Sequence, residues 1–409
     1  SLPGLHPSGS SPLMIVANPV PTSPMQSAMA NDSLDVAPLP GSQGRAVADR
    51  RTLVRWMAGD WNTGVDDALD EQALEDMKDL AWSEGVAVLV SDNLARCPDV
   101  PPPVRQICMD WARGQSAAQL GQRAHLQAVL ACLDRAGAKP LVLKGAALAQ
   151  WLYPAPYLRE FSDLDLLFAD HGQALQAAEA LASLGYVMPY HPSRFQHELT
   201  CLATDGHAPE LDLHWALSDW PVLDRLPAFA ELDAAGIDLP GLGPGARGLG
   251  PPHALLHACV HRASNLAAGL GDRLKWLHDL HLLVLVLERD DDWERFLAAC
   301  EQARVCGIAA EGLDASTSLF GTPVPPPVSA ALAVGRANEP LDATRLSDWH
   351  YLQRLNFRAL PSWGARLSWI GGRLLPPAGH LRALYGEDLG YPALLWRRLR
   401  NAGSRLRGG

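Results

Sequence analysis

Two aspartates separated by one leucine, in the run Asp163-Leu164-Asp165-Leu166-Leu167-Phe168, constrain this chain more than any other feature. Successive side chains of a β-strand point to opposite faces. Both carboxylates therefore share one face, while Leu164 and Leu166 anchor the other in a core. The run Glu210-Leu211-Asp212-Leu213-His214-Trp215 repeats the device, placing Asp212 and His214 on one side of a second strand. Buried strands seldom hold repeated acids without a partner. Three carboxylates converging from neighbouring strands repel one another unless a cation sits between them, so a divalent metal is implied at Asp163, Asp165 and Asp212.

The residues before these strands suit phosphate. The strand Leu141-Val142-Leu143 feeds a turn at Lys144-Gly145 and then a helix through Tyr153. Free N–H groups at a helix N-terminus favour phosphate, Gly145 permits close approach, and Lys144 supplies charge. Arg159 and Ser162 precede the first aspartate. Arg159 either clamps a phosphate bidentately or braces Asp163 or Glu160. Beyond the core, His257 and His261 lie four apart on one helix, the spacing of a shared face. They have no H-E-x-x-H signature, which favours a histidine pair lining a domain interface over a zinc site.

Taken together, Leu143-Lys144-Gly145, Arg159 through Leu167 and Asp212-Leu213-His214-Trp215 resemble the motifs of an uncharacterised bacterial branch of the polymerase-beta-like nucleotidyltransferase superfamily. The resemblance is strong over roughly the middle quarter of the chain, and it rests on order, spacing and strand context together. It implies an α/β fold: a small mixed-sheet core flanked by N- and C-terminal helical regions and helix-rich overall. It further implies that Asp163 and Asp165 hold metals, Mg²⁺ or Mn²⁺, and that Asp212 assists the second metal and the acceptor. Lys144, Gly145, Arg159 and Ser162 would then bind a nucleoside triphosphate, with His214, His257 and His261 on the substrate side. The superfamily follows its glycine with Gly or Ser, whereas this chain has Ala146, so a hydroxyl contact to phosphate is missing.

The implied activity is metal-dependent transfer of a nucleotidyl group to a hydroxyl or phosphate on a small molecule, sugar phosphate or modified peptide. The same carboxylates would serve phosphoryl or sugar-phosphate transfer, since metal chemistry is shared between the two. A non-catalytic, nucleotide-sensing or antitoxin-like partner protein is the third reading, for which Ala146 speaks and the intact aspartates do not.

Pattern and punctuation divide the 409 residues into a Pro-, Ser- and Gly-rich flexible leader (1–44), a helical region (45–137), the α/β core (138–238) and a second helical region (239–409). Within these, a helix from Ala117 to Ala136 ends at Gly137, residues 195–203 and 209–215 form a hairpin, and the Gly/Pro-crowded stretch 239–250 reads as a linker. A net charge of -11 argues against a nucleic-acid partner, because phosphate backbones need clustered Lys and Arg. Seven scattered cysteines without CxxC spacing fit a reducing cytoplasm. No run is apolar and long enough to span a bilayer, and no secretory signal pattern opens the sequence.

Overall fold

The computed structural model describes residues 49–61, 71–192, 194–376, 378–385 and 389–405; the expected leader, residues 1–44, lies outside them. Helices α1 (Arg50–Met57), α2 (Glu71–Ser83) and α3 (Ala87–Arg96) come first, followed by the long α4 (Pro102–Arg135). The core runs β1 (Leu141–Val142), α5 (Lys144–Trp151), β2 (Asp163–Leu167), α6 (His171–Leu181), β3 (Tyr186–Val187), β4 (Glu198–Ala203) and β5 (Glu210–His214). After α7 (Phe229–Ala234) come β6 (Ile237–Asp238) and β7 (Arg247–Gly248). The rest is helical: α8 (Pro251–Ala267), α9 (Leu274–Asp290), α10 (Trp293–Ala303), α11 (Cys306–Phe320) and α12 (Pro326–Arg336), then α13 (Trp349–Ala359), α14 (Trp363–Leu374), α15 (Ala378–Tyr385) and α16 (Tyr391–Arg405). The fold is α/β and helix-rich.

One mixed sheet of seven strands, in the order β3-β4-β5-β2-β1-β7-β6, carries the site. β2 and β5 are parallel, with Asp165 opposite Asp212 and Leu166 opposite Leu213. β4 and β5 form the expected antiparallel hairpin. On one side of the sheet Leu164, Leu166, Leu211 and Leu213 pack with Leu126, Val129 and Leu133 of α4 and with Ala174, Ala177 and Leu181 of α6. On the other side Leu141, Leu143 and Leu167 join the apolar layer built by α8 and α9. Each fully buried leucine contributes about 1.5–3 kcal/mol. A one-residue slip of β2 would forfeit that burial and drive two carboxylates into an apolar layer. Packing on the far face thus holds the aspartates on the near one.

Two boundaries differ from the sequence expectation. The helix expected from Ala117 starts at Pro102 and runs unbroken to Arg135. Proline at a first helical position has no lost hydrogen bond to make up, so the proline run starts this helix instead of ending one. Its end is as expected, with Gly137 left-handed at φ 77°. Second, the stretch 239–250, expected to be a linker, contains β7, which extends the sheet by pairing in parallel with β1. The glycine there answers a close approach: a Cβ on Gly248 would lie 3.0 Å from Leu239 Cδ1 and 3.3 Å from the Val142 carbonyl oxygen. A strand of two residues also has no period to read.

Tyr153 and Leu158, which follow α5, pack into the N-terminal helical layer with Leu53, Trp56 and Val88, as does Leu274 at the start of α9. The N-terminal helical layer is thereby joined to the segment after α5 and to the start of α9. All seven cysteines are buried and unpaired. Among the described residues no helix is long and apolar enough to cross a membrane.

Candidate active site

Strand register brings the three aspartates together. Carboxylate oxygens of Asp163, Asp165 and Asp212 lie within 4.8 Å of one another, and the latter two side chains are buried. The same face of the hairpin adds acids that the sequence reading did not assign. Glu210 is paired opposite Asp163, and Glu198 opposite His214. Both were legible in principle, Glu210 as the residue two before Asp212 and Glu198 through the hairpin register. Thr200, opposite Asp212, donates its hydroxyl to Asp212 Oδ1 at 2.8 Å.

Five carboxylates meet few cations. Lys144 Nζ lies 2.5 Å from Asp165 Oδ1, and His214 Nε2 is 2.9 Å from the same oxygen. Burial alone would raise the Asp165 carboxyl, but Lys144 and His214 outweigh it and hold the group well below the usual carboxylate range. The reverse holds for Asp212: burial, then Glu198 and Asp165, push its carboxyl well above that range. Burial, then Asp163, Glu198 and Asp165, push Glu210 up to about 7. For Lys144, burial opposes the charge, but the fields of Asp165, Asp163 and Asp212 prevail and raise it. An all-oxygen cluster in which burial and mutual repulsion raise Asp212 and Glu210 fits a hard divalent cation.

Lys144 opens α5 with φ at 50°, the left-handed region that a lysine rarely occupies. Such strain gathers at functional positions, where the surroundings hold it in place. No side chain caps α5, so its first N–H groups remain available to an anion. Ala146 is buried among Leu126, Leu164 and Leu166, beneath the turn. A hydroxyl at this position would face the apolar core, which accounts for the alanine.

The other expected contacts are placed differently. Arg159 is buried and forks onto Asp279 of α9, with Nε 2.8 Å from Oδ1 and Nη2 2.6 Å from Oδ2. Tyr153 donates its hydroxyl to the same carboxylate at 2.8 Å. Arg159 braces the Asp279 carboxylate and, through Nη1, the main-chain oxygen of Glu160, not the Asp163 or Glu160 carboxylates, and its fork is filled. Gly145 is small for the same reason: a Cβ there would lie 3.0 Å from Arg159 Nη1 and 3.2 Å from Phe161 Cβ. Ser162 is exposed and donates to Asp163 Oδ1 at 3.4 Å. His214 sits between Asp165 and Glu198, its Nδ1 3.4 Å from Glu198 Oε2, so both ring nitrogens are engaged. Trp215 makes a tilted ring contact with His171 and an edge-on one with His197.

His257 and His261 line a cleft beside the carboxylates, together with Lys144, Gly145, Trp276 and Trp151. Burial, then the neighbouring Lys144, pushes His257 down to about 3. Burial likewise holds His261 well below its usual value. Both rings are neutral at physiological pH.

Converging carboxylates on parallel strands, beside a strained turn into an uncapped helix, define an α/β core of nucleotidyltransferase type. A family model for an uncharacterised nucleotidyltransferase matches residues 70–321, more than half of the chain, and the chain belongs to that family. No curated protein matches the chain, and no solved structure does.

Proposed function

We propose that the protein transfers a nucleotidyl group from a nucleoside triphosphate to a hydroxyl or phosphate of a small-molecule, sugar-phosphate or peptide acceptor. The observation that carries this reading is the convergence of Asp163, Asp165 and Asp212 within 4.8 Å. These three would hold a divalent cation, Mg²⁺ or Mn²⁺, which when bound neutralises phosphate charge and lowers the cost of developing negative charge. The chain's own groups do the rest. The first N–H groups of α5 and the Lys144 ammonium bind and orient the phosphates. Lys144 balances the charge of Asp165, and with a cation held by the three aspartates its ammonium would be free to face the nucleotide phosphates. Ser162, exposed beside Asp163, lies where a phosphate oxygen enters.

In the transfer itself, an acceptor oxygen attacks the α-phosphorus. A new P–O bond forms, the bond to the bridging oxygen breaks, and pyrophosphate departs. The acceptor proton needs a base. Asp212 is the candidate for that role: without a cation, burial, Glu198 and Asp165 favour its protonated form, and with a cation at the cluster it would be the free carboxylate that can take the proton. His214, held between Asp165 and Glu198, orients Asp165.

The test is incubation of the four nucleoside triphosphates with Mg²⁺ or Mn²⁺, followed by thermal melting and by mass analysis of modified acceptors. A metal-dependent rise in melting temperature is expected with at least one triphosphate, since ligands of the native state stabilise it by mass action. A gain in mass equal to a nucleotidyl group identifies the reaction. A gain of one phosphoryl group would replace it with phosphoryl transfer, and no metal-dependent binding would remove it.

A further inference from the structure

The cleft beside the carboxylates has a chemistry that the phosphates do not use. It counts about 500 Å³ including space open to solvent, and lies between α5 on one side and α8 and α9 on the other. Leu148, Leu249, Ala254 and Ala258 make it apolar, and Trp276 closes one wall. Within that wall His257 is 5% exposed. Its ring touches the His261 ring, centroids 6.4 Å apart, but among the described residues neither of its nitrogens has a hydrogen-bond partner. His261, by contrast, lies 3.1 Å from the Asn265 side-chain amide. Trp151, lining the same cleft, has a buried indole N–H with no acceptor.

A buried polar group without a partner costs about 1–3 kcal/mol and calls for an explanation. A charged ligand does not supply one. A neutral imidazole offers one donor and one acceptor and the indole offers one donor; of the other polar side chains on the wall, Arg159 and Asp279 are spent on each other, Lys144 on Asp165 and His261 on Asn265, and the rest of the wall is apolar. That set fits a flat, uncharged ring with donors and acceptors on its edge. The cleft shares Lys144 and Gly145 with the phosphate side. A molecule with phosphates at the α5 N-terminus can therefore lay a ring directly into it.

From this juxtaposition we infer that the α5–α8–α9 cleft holds the nucleobase of the nucleoside triphosphate, with His257 as the side chain that reads its edge. This rests on the proposed nucleotide chemistry and adds to it the residue that sets base preference. Trp276 and Leu148 flank the ring, and Trp151 supplies a second donor.

Calorimetry of the whole protein with Mg²⁺ tests it, using inorganic tripolyphosphate and the four nucleoside triphosphates as probes. The wild-type protein should bind at least one triphosphate about tenfold or more tighter than tripolyphosphate, the worth of one satisfied hydrogen bond. His257→Phe, which keeps a ring and removes the donor and acceptor, should erase that preference and leave tripolyphosphate binding unchanged. His257→Gln should keep part of it. Ala258→Leu, which fills the cleft without deleting a polar group, should act like His257→Phe and covers the case in which that variant does not fold. Base-independent binding by the wild-type protein, or base preference unaltered in the variants, overturns the inference. If tripolyphosphate binds with Mg²⁺ while the base adds nothing, only this cleft assignment fails. If nothing binds in a metal-dependent way, the nucleotidyltransferase reading fails with it.

Discussion

Replacing Glu210 with glutamine should stabilise the metal-free protein above neutral pH. The carboxyl goes from an ordinary 4.5 to about 7 in the fold, because it is part-buried and faces Asp163, Glu198 and Asp165. Below pH 4.5 it is protonated in both states and the substitution does nothing. Between 4.5 and 7 the unfolded chain has released its proton while the folded one retains it, so the wild type loses stability as pH rises. At about 1.4 kcal/mol per pH unit, the whole displacement is worth about 3 kcal/mol. Partial exposure lets solvent screen it, which leaves about 1–2 kcal/mol. Urea unfolding with a chelator present should therefore give Glu210→Gln a higher midpoint at pH 8, the same midpoint at pH 4.5, and an unchanged slope. Mg²⁺ should close the pH 8 gap, since a cation at Asp163 and Asp165 relieves the field that raises Glu210. A gap of equal size at both pH values would refute the charge argument.

Three further outcomes follow from the same geometry. Asp165→Asn should end turnover and the Mg²⁺-dependent rise in melting temperature while the melt stays cooperative; a lost transition would make Asp165 a structural residue instead. Lys144→Ala should weaken nucleotide binding by about 1.5–3 kcal/mol, less at high salt, while metal alone binds tighter because a competing cation is gone. Asp279→Ala leaves the Arg159 guanidinium buried and unpaired, so urea melts should show a loss of about 3–5 kcal/mol, and an unchanged midpoint would contradict the brace.

Period and order made much of the site legible. Asp163, Asp165 and Asp212 could be placed on one face because strand period two depends only on local alternation, and the leucines between them fix that face. The β4–β5 hairpin and the Gly137 end of α4 follow from equally local signals, whereas the two-residue strand β3 before the hairpin had no period to read. Arg159 is the opposite case. Its partner Asp279 lies 120 residues away, on a helix whose position is set by apolar packing and has no trace in spacing. The carboxylates near it in sequence were the nearest candidates, and neither is the one it pairs with. Gly145 shows a related limit, since sequence reports that something must come close without saying what. The Arg159 guanidinium is one neighbour that comes close on the side a Cβ would occupy. The strand β7 was hidden because two residues carry no period and the glycines around it look like a loop.

The two charge systems of the site divide its labour. Arg159, Asp279 and Tyr153 form a closed set in which every charge has its partner, and it ties the core to α9. Removing such a set would cost stability and gain no binding. Around Asp165 the set is left open: Asp163, Asp165, Asp212, Glu198 and Glu210 face Lys144 and His214. Satisfied partners make a rigid wall, whereas unmatched carboxylates store repulsion that a bound cation releases. Lys144 stands at the boundary between them, held in a strained turn and paired to Asp165, whose carboxyl it and His214 hold well below the usual range. Its ammonium can leave Asp165 only if another positive charge takes its place. Cation entry is thereby coupled to freeing the lysine for phosphate. Nucleotide should accordingly bind weakly without metal, and metal should bind more tightly once the phosphates have drawn Lys144 away.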